Sequence, residues 1–149
     1  MIKSIRWGWT CFLLFLLMEA FAVHAAGGAP KVSEGDWKAI RGVISIQLKA
    51  LQADDGERAF AQASPEIRKQ FGTAEAFLSM VKSAYYPLYR PRATEFLSPA
   101  VIEGQILQPL QVVAEDGTVV VAIYTMVKGA DKQWKINGCQ IAPSKLEST

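Results

Sequence analysis

Side chains that serve as nucleophiles, bases or metal ligands are scarce in this sequence. Its 149 residues include one histidine, His24, and two cysteines, Cys11 and Cys139. His24 and Cys11 lie in the first 25 residues, whose composition is that of a leader removed on export. The remaining chain then has no imidazole and one thiol, which excludes Ser-His-Asp and Cys-His catalysis, histidine-ligated metals and internal disulfides. We therefore expect no metal and no cofactor.

An excess of charge of either sign is also missing. The sequence has 16 basic and 14 acidic side chains and a formal net charge of +2, and loss of the first 25 residues keeps the chain close to neutral. Binding to nucleic acid or to an anionic membrane surface depends on clustered lysine and arginine. We therefore expect no nucleic-acid partner.

The amino terminus has the three parts of an export signal. Lys3 and Arg6 give it a positive start, the apolar run 7–18 follows, and Val23 and Ala25 place small residues where a signal peptidase reads them. We predict a signal peptide over residues 1–25, cut after Ala25. The run is shorter than the about 20 apolar residues that span a bilayer, which disfavours an uncleaved anchor. The mature protein is therefore expected to be periplasmic or secreted, without stable membrane insertion.

The first half of the mature chain has the periodicity of helices. We predict a flexible lead-in over residues 26–35 and one domain over residues 36–144, which opens with a helix capped by Ser33 or Asp36. Its apolar stripe has spacings of three and four residues and consists of Trp37, Ile40, Ile44, Leu48 and Leu51. Three shorter helices are predicted downstream, with the caps Asp55, Ser64 and Thr73.

The second half has the alternation of strands. We predict an edge strand over Tyr89–Leu97, a hairpin of Ile106–Val113 and Val119–Val127, and a last strand over Trp134–Ile141. The Asp-Gly pair at residues 116 and 117 predicts a tight turn in which both residues have a positive φ. Because the strand Val119–Val127 is apolar on both faces, we expect both faces to be covered.

These elements predict an α+β fold in which N-terminal helices pack on a curved antiparallel sheet. The implied shape is a cone with a cavity between the helices and the sheet. The outer face of the sheet is expected to be covered by a second copy of the protein, which would make a homodimer.

Several short motifs resemble those of the DUF4864 family of exported bacterial proteins. The motifs are Ala53-Asp54-Asp55, Ala59 to Pro65, Phe71-Gly72-Thr73, Tyr89-Arg90-Pro91-Arg92 and Trp134 to Cys139. That family is uncharacterised, and its helix-then-sheet order is similar to that of the NTF2-like, or cystatin-like, cone domains. The resemblance to this superfamily implies a cone that serves isomerases and dehydratases as well as non-catalytic binding and dimerisation modules. The Asp/His pair of the dehydratase branches has no counterpart here, and the fold alone implies no reaction.

Four residues are candidates for ligand binding. Arg90 and Arg92 are two apart, so on a strand they would share a face and could grip a carboxylate or phosphate. The alternative is that they are exposed and pair with acids such as Glu95 or Glu103. Tyr124 and Asn137 are the polar candidates expected to line the cone.

Two further groups have a chemical and a structural interpretation. Cys139 is a thiol buried in the core, a thiol that pairs with a second molecule, or a reactive thiol whose pKa is lowered by a nearby cation. Asp54, Asp55 and Glu57 form the densest acidic group, which lacks the ligand spacing of a calcium loop and is better explained by helix capping.

Three functions follow from these residues, and the sequence does not decide whether the protein is an enzyme. The first is a non-catalytic module that binds a small acidic or apolar ligand in the cone. The alternative is a histidine-free isomerase-like or lyase-like enzyme that uses a carboxylate and a tyrosine. The third is a homodimeric assembly module whose cone is filled by its own side chains.

Overall fold

Helices and strands are segregated along the chain, as predicted. The computed structural model describes residues 28–144. The helices are α1 (Glu34–Gln52), α2 (Gly56–Phe60), α3 (Pro65–Phe71), α4 (Ala74–Ala84) and α5 (Tyr86–Tyr89). The strands are β1 (Ala93–Phe96), β2 (Ala100–Ile102), β3 (Gln105–Val113), β4 (Val119–Lys128) and β5 (Trp134–Pro143). The α+β class with helices on a curved antiparallel sheet is confirmed.

The long helix α1 begins with a reciprocal cap. The Ser33 hydroxyl accepts a hydrogen bond from the Asp36 backbone N–H at 3.1 Å, and the Asp36 carboxylate accepts one from the Ser33 N–H at 3.1 Å. Of the two predicted caps, Ser33 therefore holds the position. The predicted caps of the next three helices, Asp55, Ser64 and Thr73, are all confirmed. The predicted leader, with its cleavage site after Ala25, lies outside the described residues.

The sheet has the order β1-β3-β4-β5, and β2 pairs with β3 beside β1. The neighbour of β3 is thus broken into two short strands, and the break lies opposite Pro109. Proline has no N–H to donate to an adjacent strand, and the Pro109 carbonyl accepts from the Leu97 N–H at 3.0 Å, at the end of β1. The missing donor explains why the pairing of β3 stops and resumes.

The predicted strand over Tyr89–Leu97 is wrong in its first half. Tyr89 ends helix α5, whose first turn contains Pro87, and the strand starts only at Ala93. Proline suits the first turn of a helix because its missing N–H has no partner there. Arg90 and Arg92 therefore precede the strand and do not share a strand face.

The hairpin between β3 and β4 has a different turn from the predicted one. Gly117 has a φ of 88°, but Asp116 is not in the left-handed region. The Gly117 N–H donates to the Ala114 carbonyl at 3.0 Å, and the Ala114 N–H donates to the Thr118 carbonyl at 2.8 Å. This is the three-residue hairpin loop in which a turn is followed by a left-handed glycine, so one positive φ suffices.

A β-bulge reverses the alternation of side chains within β5. Thr125 pairs with Gly138, whereas the next residue, Met126, pairs with Ile136, which leaves Asn137 as the extra residue. Ile136 and Cys139 therefore both face the helices, although they are three residues apart. Strict alternation along the strand would have placed these two side chains on opposite faces.

The core consists of two separate clusters. The sheet cluster joins α1 to the inner face of the sheet and includes Ile40, Ile44, Leu110 and Tyr124. The helix cluster joins the end of α1 to α2 and α4 through residues such as Leu51, Phe60, Phe77 and Val81. Because α1 contributes to both clusters, it holds the helical layer against the sheet.

The outer face of the sheet is mainly apolar along β3 and β4, with polar residues between. Its apolar residues are Val119, Val121, Ile123 and Val127 of β4 and Leu107, Pro109 and Val113 of β3, and Thr125 and Gln111 lie among them. These side chains are half-buried in the single chain. Within residues 28–144, no helix has the length and apolar character needed to cross a bilayer.

Candidate functional site

A cavity of about 220 Å³ lies between the sheet cluster and the helix cluster. Helices α1, α3 and α4 form one side of it, and strands β4 and β5 form the other. Its lining consists of Gln47, Leu51, Ala63, Ile67, Gln70, Phe71, Phe77, Met80, Val81, Tyr85, Leu88, Tyr124, Ile136, Gly138 and Cys139. The cavity therefore fills the gap between the sheet cluster and the helix cluster.

The lining of this cavity carries no formal charge. Among the described residues that form it, there is no aspartate, glutamate, lysine, arginine or histidine. Its polar groups are two amides, two phenols and one thiol. A charged ligand would leave water without gaining a partner of opposite charge, which is strongly unfavourable. The chemistry of the lining therefore suits an uncharged molecule.

Tyr124 is the most buried polar side chain of the lining. It lies on the inner face of β4, opposite Cys139 of β5, and is 0 % exposed. Its hydroxyl has no hydrogen-bond partner within the part of the chain that the structure describes. Burial raises the pKa of Tyr124 well above its ordinary value, so the phenol stays protonated. The result is a neutral donor without an acceptor.

Tyr85 lines the same cavity but has a partner. Its hydroxyl donates to the Cys139 carbonyl at 3.0 Å, which ties the end of α4 to β5. The Cys139 thiol is partly buried, and this burial raises its pKa to about 12. A thiol with so high a pKa carries almost no thiolate at neutral pH, so it is a poor nucleophile.

The short helix α3 covers one side of the cavity. None of its residues is fully buried, and its Ile67, Gln70 and Phe71 reach the lining. The helix is fixed at its first turn by Ser64, whose N–H donates to the Ile136 carbonyl at 2.8 Å. The Ser64 hydroxyl also donates to the Asn137 side-chain oxygen at 2.7 Å.

The structure places the four predicted ligand-binding residues in three different environments. Tyr124 lines the cavity. Asn137 is exposed at the bulge and holds the start of α3 through Ser64. Arg90 and Arg92 lie on the surface and are not among the lining residues. Sequence reasoning missed the α3 and α4 residues of the lining, because their helical spacing is also that of ordinary core residues.

Arg90 belongs to a second polar group, around Asp54. The guanidinium of Arg90 contacts the Asp54 carboxylate at 2.9 Å and lies 4.9 Å from the ring centre of Tyr89. The same carboxylate accepts the Tyr89 hydroxyl and pairs with Lys82 at 2.9 Å. These contacts, the Tyr89 hydrogen bond first, lower the pKa of Asp54 to about 2. The group connects the turn after α1 to α4 and α5. Of the acidic residues predicted to cap a helix, Asp55 caps α2, whereas Asp54 makes these ion pairs instead.

Comparison with known proteins places the chain in a family. The model of DUF4864, a domain of unknown function, matches residues 33–149, and the protein therefore belongs to this family. No curated protein matches the chain, and no solved structure matches it either.

Proposed function

We propose that the protein is a binding module for a small, uncharged and mainly apolar molecule, which occupies the cavity between the two core clusters. The observation that carries this proposal is the lining itself: it is apolar, it has no formal charge, and it contains a buried hydroxyl without a partner. Binding pockets combine an apolar wall with a few polar groups in this way.

The shape of the cavity argues against a simple packing defect. Its volume of about 220 Å³ is partly enclosed by protein and partly open to solvent, so a small molecule could enter it without the fold opening. A dry cavity of about 150 Å³ accepts benzene in another protein, so this one suits a substituted ring or a short chain.

A cavity-filling variant tests this proposal. Ile67→Trp introduces an indole from the α3 side, where the isoleucine is half-buried and lines the cavity. The matched control is Ile46→Trp on α1, where the isoleucine is 37 % exposed and outside the lining. We expect toluene to raise the thermal midpoint of the wild type and of the control, and to leave that of Ile67→Trp unchanged. An equal response of all three proteins would contradict the proposal.

The charge of the lining favours the apolar ligand over the acidic one. Arg90 faces Asp54, and Arg92 lies at the surface, so neither offers a cation to a ligand in the cavity. Within the proposed site, Tyr124 contacts the ligand, and Asn137 acts indirectly by holding the start of α3. Proton transfer by a carboxylate and a tyrosine is less favoured, because the described lining contains no carboxylate.

Self-association through the outer face of the sheet is a second proposal. It is supported by the outer row of β4, in which four of five side chains are half-buried and apolar and the fifth is Thr125, since an antiparallel sheet that faces water usually presents polar residues there. We expect Val121→Lys, at the centre of this row, to reduce the mass measured by sedimentation. Ile46→Lys on the helical side is the control and should leave the mass unchanged. A monomeric wild type would overturn this proposal.

We also propose that the protein is exported and that its domain is NTF2-like. Export is supported by the positively charged start and the short apolar run of residues 7–18. The NTF2-like assignment is supported by the order of helices before a curved antiparallel sheet. Intact-mass measurement of the exported product should give a chain that starts at Ala26, and a mass that includes Met1 would overturn the export proposal.

A further inference from the structure

We propose that the ligand carries a neutral carbonyl oxygen and that the Tyr124 hydroxyl donates a hydrogen bond to it. This inference rests on the proposed function, because it names the chemical class of the molecule that the cavity binds.

The unpartnered Tyr124 hydroxyl is the observation behind this inference. Buried hydroxyls in folded proteins nearly always have a hydrogen-bond partner, so one that lacks it needs an explanation. Two donors of the lining are already engaged with backbone carbonyls. Tyr85 donates to the Cys139 carbonyl at 3.0 Å, and the Gln47 amide donates to the Ala59 carbonyl at 3.4 Å. The missing acceptor is therefore best supplied by the molecule in the cavity.

The surroundings of Tyr124 select a carbonyl among the possible acceptors. A carboxylate would be buried without a counter-charge, since the lining has no cation. An alcohol or amide would bring its own O–H or N–H, so besides the Tyr124 donor it would also need an acceptor, such as the side-chain oxygen of Gln47 or Gln70. A ketone, aldehyde or ester oxygen is satisfied by a single donor. Phe71 and Phe77 would meet the apolar body of the ligand, their rings lying 5.7 Å apart edge to face.

Three probes of similar size test this assignment by calorimetric titration. Acetophenone has the carbonyl, α-methylstyrene replaces it with a methylene group of the same shape, and benzoate replaces it with a carboxylate. One hydrogen bond corresponds to about a tenfold change in Kd. We expect the wild type to bind acetophenone about tenfold more tightly than α-methylstyrene and to bind benzoate far more weakly than either. In Tyr124→Phe the preference for acetophenone should vanish, with the affinity for α-methylstyrene kept.

A matched variant and a second measurement complete the test. Tyr86→Phe removes a phenol hydroxyl that lies outside the cavity and donates to Glu115 at 2.8 Å, and it should keep the preference for acetophenone. The infrared stretching frequency of the acetophenone carbonyl should be lower in the complex with the wild type than in hexane, because a hydrogen bond weakens the C=O bond. This measurement requires no variant.

Each outcome of this test has a defined meaning. Equal binding of acetophenone and α-methylstyrene to the wild type would overturn the inference and leave the proposed function standing. So would an unshifted carbonyl stretch, because the ligand carbonyl would then accept no hydrogen bond from Tyr124. If neither neutral probe binds, the proposed function fails, and the inference fails with it.

Discussion

The two tyrosines of the cavity should respond in opposite ways to the loss of their hydroxyls. Tyr124 is fully buried and its hydroxyl has no partner in the described chain, whereas the hydroxyl of Tyr85 donates to the Cys139 carbonyl at 3.0 Å. Replacement by phenylalanine keeps both rings and removes only these oxygens. The pair therefore compares an unsatisfied and a satisfied hydroxyl within one cavity.

The expected changes in the free energy of unfolding follow from the hydrogen bonds. An unsatisfied buried polar group costs about 1–3 kcal/mol, so Tyr124→Phe should stabilise the ligand-free protein by about 1 kcal/mol. A satisfied hydrogen bond contributes about 1 kcal/mol, so Tyr85→Phe should destabilise it by at least about that amount, since the Cys139 carbonyl is also left without a donor. At about 4 °C per kcal/mol for a domain of this size, the two variants should differ in thermal midpoint by about 8 °C.

Urea denaturation of the ligand-free proteins, followed by circular dichroism, measures these differences. The slope of the unfolding free energy against urea should be the same for the wild type and both variants, since the surface exposed on unfolding hardly changes. A loss of stability in Tyr124→Phe as large as that in Tyr85→Phe would refute the reasoning. It would mean that the Tyr124 hydroxyl is already well bonded in the ligand-free protein.

Three further predictions concern other parts of the chain. Hydrogen bonds from Ser33 and, with a smaller effect, from Lys128 lower the pKa of Asp36 below its ordinary value of 3.8. The ionised carboxylate therefore stabilises the fold in full above pH 3.8, and this contribution is lost as the pH falls further. In urea titrations across the acid range, the free energy of unfolding should fall less steeply with decreasing pH for Asp36→Asn than for the wild type. Gly42 lies in α1 with free space around it, so Gly42→Ala should stabilise by about 0.5–1 kcal/mol, whereas Gly117→Ala, at a φ of 88°, should destabilise by about 1 kcal/mol in the same assay. The Cys139 thiol should react slowly with a thiol reagent in the folded protein and rapidly in urea, and fast labelling of the native state would contradict its raised pKa.

Local signals in the sequence were enough to predict the helical half and the order of strands. Helix caps depend on one side chain and the first turn that follows it, so Asp55, Ser64 and Thr73 could be identified from neighbouring residues alone. Helical and strand periodicities likewise depend on residues close in sequence. The fold class followed from the order of these elements.

Features that depend on a partner strand could not be predicted in the same way. The break between β1 and β2 reflects Pro109 on the adjacent strand, not any residue within the break itself. The start of β1 at Ala93 depends on Pro87 favouring one more helical turn before it. The two arginines were therefore assigned to a strand face that does not exist.

The cavity could not be predicted from patterns of residues that are close in sequence. Its sheet wall depends on the bulge at Asn137, because only there does β5 turn both Ile136 and Cys139 towards the helices. Without the extra residue, strict alternation would direct one of them to the outer face and remove part of the wall around Tyr124. A glycine within a strand, such as Gly138, is compatible with a bulge, but it does not determine which side chains the bulge turns towards the helices. The position of Tyr124 on the inner face followed from the alternation along β4, whereas its lack of a partner arises only where β4, β5 and the helices meet.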